Sequence, residues 1–233
     1  MAQETARCFA AEGASLFLVA RDSKKLEMSA EDLRARGAQA VFTKAMDLTS
    51  ADQHAGLIRE AESLLEGIDG ALIAYGSLPN SEEVRQNFNL VRSTFETNTL
   101  SAISLCMLLS DFFEKQHRGV LAVIGSVAGD RGRYKNFVYS ASKSALATYL
   151  QGLRARVSAS GVCVLTIKPG FVDTPMTAGL KKNFLFAPAT LVGRVICSAM
   201  HSRRDHIYVP WFWRWIMLVV CLIPEKVFKR LKI

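Results

Sequence analysis

Apolar positions along the chain gather into short continuous runs separated by stretches of helical period, an alternation that predicts an α/β protein with a parallel sheet. Residues 1–12 place Ala2, Ala6, Phe9 and Ala10 at helical spacing and stop at Gly13. The run SLFLVA at 15–20 suits a buried parallel strand, and a helix follows over 24–36. Further strands are predicted over 38–44, 70–75, from 119 to Ser126, over 162–168 and at 207–209. Helices are predicted over 50–66, 82–115 as one long element, from Tyr139 onward, and over 187–200. Residues 175–190 mix Pro, Met, Gly, Lys and Phe without a period, as expected of a lid over a substrate.

The end of the chain breaks this order. Between Trp211 and Ile223 lie thirteen residues interrupted by Arg214, short of the ~20 that span a bilayer. Trp211, Trp213 and Trp215 at one end and Lys226, Lys229, Arg230 and Lys232 at the other read as an anchor lying in a membrane interface. A dimer contact or core patch is the rival reading. The expected organisation is therefore a domain over 1–210 and a hydrophobic, basic tail over 211–233.

With 233 residues, half of them apolar, the chain is long enough for one domain with a substantial core. The formal charge is +8, and residues 201–233 hold seven Lys/Arg against two Asp/Glu. That concentration points to an anionic membrane surface and away from nucleic acid. Five scattered cysteines among apolar neighbours read as thiols in a reducing compartment. His54, His117, His201 and His206 form no ligand spacing, so no metal site is expected.

Candidate chemistry centres on 119–143, GVLAVIGSVAGDRGRYKNFVYSASK. Tyr139 and Lys143, four apart, share one helix face, so an ammonium can sit beside a phenol and favour its phenolate form. Ser126, at the carboxyl end of a strand, could hydrogen-bond the carbonyl oxygen that Tyr139 protonates. Arg131 and Arg133, with Lys135, could hold an anionic group of a substrate, or form a basic loop in water.

Ser126, then Tyr139 and Lys143 around Ser140, Ala141 and Ser142, then a strand closed by Pro169-Gly170, resemble the classical short-chain dehydrogenase/reductases over essentially the whole chain. The resemblance implies a Rossmann-like doubly wound sheet, a nicotinamide cofactor and carbonyl reduction. It makes Tyr139 the proton donor, Ser126 its partner at the oxygen, Lys143 the group that lowers the phenol pKa and grips the ribose, and Asn98 in FETNTLS the end of a proton relay. Arg21, just after a strand, stands where an Arg accommodates the 2′-phosphate, favouring NADP(H) with NAD(H) as second choice. Asp47 would meet the adenine or cap the next helix. Pro169, Gly170, Val172 and Thr174 would hold the carboxamide. Ala74-Tyr75-Gly76-Ser77 stands where most relatives have Asn-Asn-Ala-Gly, so Ala74 and Gly76 border the cofactor without the usual Asn braces. A strand and glycine-rich turn ahead of residues 1–12 are also implied; the chain is expected to start inside a helix and to be truncated by a dozen or more residues.

More narrowly, AYGSLP, SVAGDRGR and YVPWFWRWIM resemble membrane-associated reductases of the decaprenylphosphoryl-2-keto-ribose type. That implies a lipid-linked ketone substrate and a cytoplasmic protein peripheral on the inner face of the cell membrane, while the broader family resemblance implies a homodimer or homotetramer. Reduction of another lipid or small-molecule ketone, or a non-catalytic membrane scaffold, are the alternatives.

Overall fold

The computed structural model describes residues 1–179 and 181–231. In chain order it runs α1 (Ala2–Ala11), β1 (Ser15–Ala20), α2 (Ser23–Ala35), β2 (Ala40–Ala45), α3 (His54–Leu65), β3 (Gly70–Ile73), α4 (Ser81–Gln86) and α5 (Phe88–Phe95). A π-helical turn, Glu96–Leu100, leads into α6 (Ser101–Lys115), then β4 (Gly119–Ile124), α7 (Phe137–Val157), β5 (Val162–Pro169) and β6 (Phe171–Asp173). The last elements are β7 (Phe186–Pro188), α8 (Ala189–His201), β8 (His206–Val209), α9 (Trp213–Leu222) and α10 (Glu225–Phe228).

β3, β4, β5 and β8 form a parallel four-stranded sheet in that order, and β1 pairs with β2 in a parallel sheet of its own. Buried on both faces, β4 and β5 explain their uninterrupted apolar runs. Successive residues serve opposite layers. Leu121, Val123 and Val164 pack against Ile58 of α3, Leu109 and Phe113 of α6 and Leu150 of α7. Ala122, Leu165 and Ile167 pack against Val192 and Ile196 of α8. Helices thus cover both faces of a Rossmann-like sheet whose carboxyl ends share one edge.

Three expectations need correction. The helix predicted over 82–115 is broken: Asn87 is extended (φ −133°, ψ 97°), and its side chain accepts from the Asn89 N–H, so a local Asn bond ends α4 and starts α5. The π turn then interrupts the remainder. The aperiodic 175–190 stretch contains β7, which pairs with β6, with the Phe171 and Phe186 rings stacked 5.1 Å apart. The tail is packed on the domain, because α9 turns Trp213 (3% exposed) and Met217 (1%) inward against Val127 and Phe171. Among the described residues no helix is long and apolar enough to cross a membrane. Lys232, counted in the basic end of the tail, lies outside the described residues.

Candidate active site

Past the end of β4, Gly125 donates its N–H to the Ile167 carbonyl at 2.8 Å. Ser126 then turns the chain, its Oγ accepting from the Ala128 N–H at 3.0 Å to start the single 3₁₀ turn Val127–Gly129. Gly129 lies directly on α7, where a Cβ would meet the Lys143 carbonyl carbon and oxygen at 2.9 Å. Only glycine permits that approach, and it brings Ser126 over the face of α7 that carries Tyr139 and Lys143. The Ser126 hydroxyl and the Tyr139 phenol both line the same cavity.

Lys143 is buried, and its Nζ donates to the Ile124 carbonyl at 3.0 Å. Burial lowers its pKa to about 8. Tyr139 is pushed the other way: burial raises the phenol, with the nearby Ser126 hydroxyl opposing. Asn98 sits in the π turn, fully buried. Its Oδ1 accepts from the Ser77 N–H (2.8 Å), and its Nδ2 donates to the Ser77 carbonyl (2.9 Å) and to Ser142 Oγ (3.2 Å). A Cβ on Gly76 would come within 2.9 Å of Asn98 Oδ1 and 3.5 Å of Lys143 Nζ. The end of β3, which lacks the usual Asn side chains, is braced from outside by Asn98 and by the 2.6 Å bond between Tyr75 and Ser101.

These groups line one wall of a cavity of about 860 Å³. Ala74, Gly76, Ser126, Tyr139 and Lys143 stand on that wall, and Pro169, Gly170, Val172 and Thr174 form its base. Thr174 donates its N–H to Thr177 Oγ1 at 3.3 Å, holding the turn after β6. The opposite wall is Trp213, Ile216 and Val220 of α9. A Cβ on Gly170 would lie 1.9 Å from Trp213 Nε1, so the indole rests on the glycine. That Nε1 is buried without a hydrogen-bond partner. The sequence reading missed Trp213 as a site residue. Its signal was the spacing of Trp213, Ile216, Met217 and Val220, which share one helix face.

Of the two arginines expected at the substrate, Arg131 is committed elsewhere, which corrects that expectation. Its Nη1 donates to the carbonyls of Val220 and Ile223 at 2.6 Å each, its Nη2 reaches Glu225 at 3.0 Å, and its guanidinium lies 3.8 Å from the centre of the Phe228 ring. It caps the carboxyl end of α9, where freed carbonyls and the helix dipole favour a cation. Arg133 does line the cavity. Arg21 and Asp47 stand outside it at the ends of β1 and β2, both exposed and 3.9 Å apart. Asp47 accepts from the N–H and hydroxyl of Thr49, at 3.0 and 2.9 Å, and so caps its own turn rather than α3. Those bonds lower its pKa, with Arg21 a lesser cause.

Residues 1–184 match the short chain dehydrogenase family. The chain belongs to that family. Short-chain dehydrogenases are oxidoreductases that act on CH–OH and C=O groups with NAD(P)(H), and so does this one. An uncharacterized oxidoreductase of Mycobacterium tuberculosis is 31% identical over 229 residues, 98% of this chain and 91% of the relative. An uncharacterized oxidoreductase of Streptomyces coelicolor is 30% identical over 97% of this chain and 90% of its own length. The ketoacyl reductase HetN of Nostoc is 30% identical over 74% of this chain and 60% of its own. A short-chain type dehydrogenase/reductase from Mycobacterium ulcerans superposes with a TM-score of 0.80 at 20% identity, covering 88% of this chain and 82% of that structure. An NAD⁺-bound xylitol dehydrogenase gives 0.76 at 16% identity, with 85% and 86% covered. The residues present fit a nicotinamide cofactor: the cavity is large, and the Lys143 ammonium and the Tyr139 phenol face it beside Ala74, Gly76, Val172 and Thr174.

Proposed function

We propose that this short-chain dehydrogenase reduces a ketone with NADPH. The observation that carries the reading is that Ser126, Tyr139 and Lys143 converge on one wall of the cavity, with Asn98 directly behind Gly76. Tyr139 gives its hydroxyl proton to the carbonyl oxygen, and Ser126 donates a hydrogen bond to the same atom. Lys143 steadies the phenol and the ribose hydroxyls, and Asn98 continues the proton path from it. The bound cofactor supplies the hydride. Ala74 and Gly76 border it, Pro169, Gly170, Val172 and Thr174 hold its carboxamide, Asp47 meets the adenine, and Arg21 takes the 2′-phosphate. The test is NAD(P)H oxidation against a panel of ketones, with Arg21→Asp shifting kcat/KM from NADPH towards NADH. Turnover of no ketone with either cofactor overturns the reading, and an unchanged cofactor ratio removes Arg21 from it.

The substrate we favour is a ketone with a hydrocarbon arm, extending to a polyprenyl-phosphate-linked sugar. Supporting this, the α9 wall is apolar, and Arg133 and Lys181 provide positive charge at the same cavity. Trp211, Trp215, Leu218 and Leu222 are exposed on the outer side of the tail, where a cytoplasmic membrane surface would take them. Vesicle co-sedimentation should weaken with salt and with Trp211→Ser/Trp215→Ser; equal sedimentation of that variant would reject the surface. A homodimer or homotetramer is expected by light scattering.

A further inference from the structure

α1 and α8 run side by side in the same direction, on the far side of the sheet from α7. Thr5 Oγ1 donates to the Gly193 carbonyl at 3.4 Å, and a Cβ on Gly193 would meet the Glu4 Cβ at 2.4 Å, so a glycine sets an unusually close approach. From that contact each helix steps forward in turns of four: Cys8 on α1 and Glu12 at its C-cap, Cys197 and His201 on α8. Glu12 Oε2 lies 2.8 Å from His201 Nε2, and Cys197 Sγ lies 3.8 Å from Glu12 Oε1. The ligand atoms of Glu12, Cys197 and His201 all fall within 4.8 Å of one another. Cys8 stands beside the Cys197 thiol. The sequence reading placed no histidine in a ligand grouping; His201 and Glu12, 189 residues apart, are brought together only by the fold.

We propose that Cys8, Glu12, Cys197 and His201 form a zinc site that staples α1 to α8. Donors at bond lengths of about 2.0–2.3 Å around a tetrahedral ion are about 3.3–3.8 Å apart; the ligand atoms of Glu12, Cys197 and His201 already lie within 4.8 Å of one another, and Cys8 turns in to complete the set. Two sulfurs, an imidazole and a carboxylate are a borderline-soft set that suits Zn²⁺ over Mg²⁺ or Ca²⁺. Cys197 is buried while Glu12 and His201 are half exposed, which gives an inner anchor and an entry path. The Phe9 ring, 5.3 Å from that of His201, holds the imidazole in orientation. None of the four residues lines the active-site cavity, so the ion is structural. Its mechanical value follows from topology: α1 leads into β1, α8 leads into β8, and the two sheets share no ladder. A closed four-ligand site would join them through their helices.

The full chain, stripped with chelator under a phosphine reductant, is titrated with Zn²⁺ and with Co²⁺. One equivalent should bind, Co²⁺ should give the intense visible bands of a tetrahedral thiolate site, and Zn²⁺ should raise Tm in a way that chelator reverses. His201→Gln, at an exposed position, and Cys8→Ser, at a partly buried one, should each weaken uptake by at least about tenfold, the loss seen even for outer partners of a metal. Cys221→Ser should change nothing. Absence of stoichiometric uptake by the folded wild type, weak octahedral bands, or unchanged affinity in both variants would overturn the site. So would recovery of a Cys8–Cys197 disulfide with no metal from protein prepared without reductant, which would make the pair a redox element instead.

Discussion

The two walls of the cavity are built in opposite ways. On the α7 side, side chains from four parts of the chain are fixed by close approaches that only glycine allows, at Gly76 and Gly129, and Asn98, Ser126 and Lys143 each have a hydrogen-bond partner. On the α9 side the surface is apolar, one indole N–H is unpaired, and the helix end is gripped by Arg131. Both walls hang from one turn: Ser126 begins it and Arg131 ends it. Between them Asp130 is held by Lys168 Nζ at 2.5 Å and by the Tyr208 hydroxyl at 2.9 Å. The contrast separates what must be placed to a fraction of an ångström from what needs only to fill space, so chemistry can stay constant while the substrate changes.

Breaking the polar wall should have the largest effect. Tyr139→Phe should lower kcat by ~10²–10⁴-fold with cofactor affinity retained in a fluorescence titration; a tenth of wild-type rate or more would remove Tyr139 as the acid. Breaking the apolar wall comes next. Trp213→Ala should cost about 3–5 kcal/mol in denaturant melts, and should raise KM for long-chain ketones more than for short ones. An equal rise for both would show that α9 does not select substrate. Lys143→Met sharpens the contrast, because it should abolish turnover and yet stabilise. With a folded pKa of about 8 against an ordinary 10.5, the penalty for the buried ammonium is fully present below pH 8 and disappears as pH rises to 10.5. The variant should therefore gain about 2–3 kcal/mol at pH 7 and lose that advantage by pH 10.5. A destabilised variant at pH 7 would mean that the Ile124 bond outweighs desolvation. Smallest is Arg131→Gln, which should cost about 1–2 kcal/mol and leave kcat for a short ketone unchanged. A large fall in kcat would show that the clasp also positions Ser126.

The parts of the fold that read well were those with strong one-dimensional signals. β1, β4 and β5 are continuous apolar runs closed by turn residues, and α8 shows a clear helical stripe. Tyr139, Lys143 and Ser126 were legible because a helix face and a strand end fix their mutual positions. Other features depend on tertiary contact and left no periodic trace. β6 and β7 have three residues each, too few to show alternation. The break at Asn87 rests on one side-chain bond inside an otherwise helical pattern. Arg131 looked available because its acceptors, the last carbonyls of α9, lie about ninety residues onward. The tail was read by its aromatic content, which suits an interface equally well whether the other side is lipid or the protein's own core.

All three tryptophans of the chain lie within 211–215. Trp211 and Trp215 are 72% and 57% exposed, whereas Trp213 is sealed against Gly170. The intrinsic indole emission of this protein therefore comes from one short segment and from two contrasting surroundings. An aqueous quencher should remove the outer pair and leave the inner one, which then reports on whatever enters the cavity or lifts α9 away. Unlabelled protein thus carries a spectroscopic gauge of its own cavity wall, readable in a stopped-flow cell.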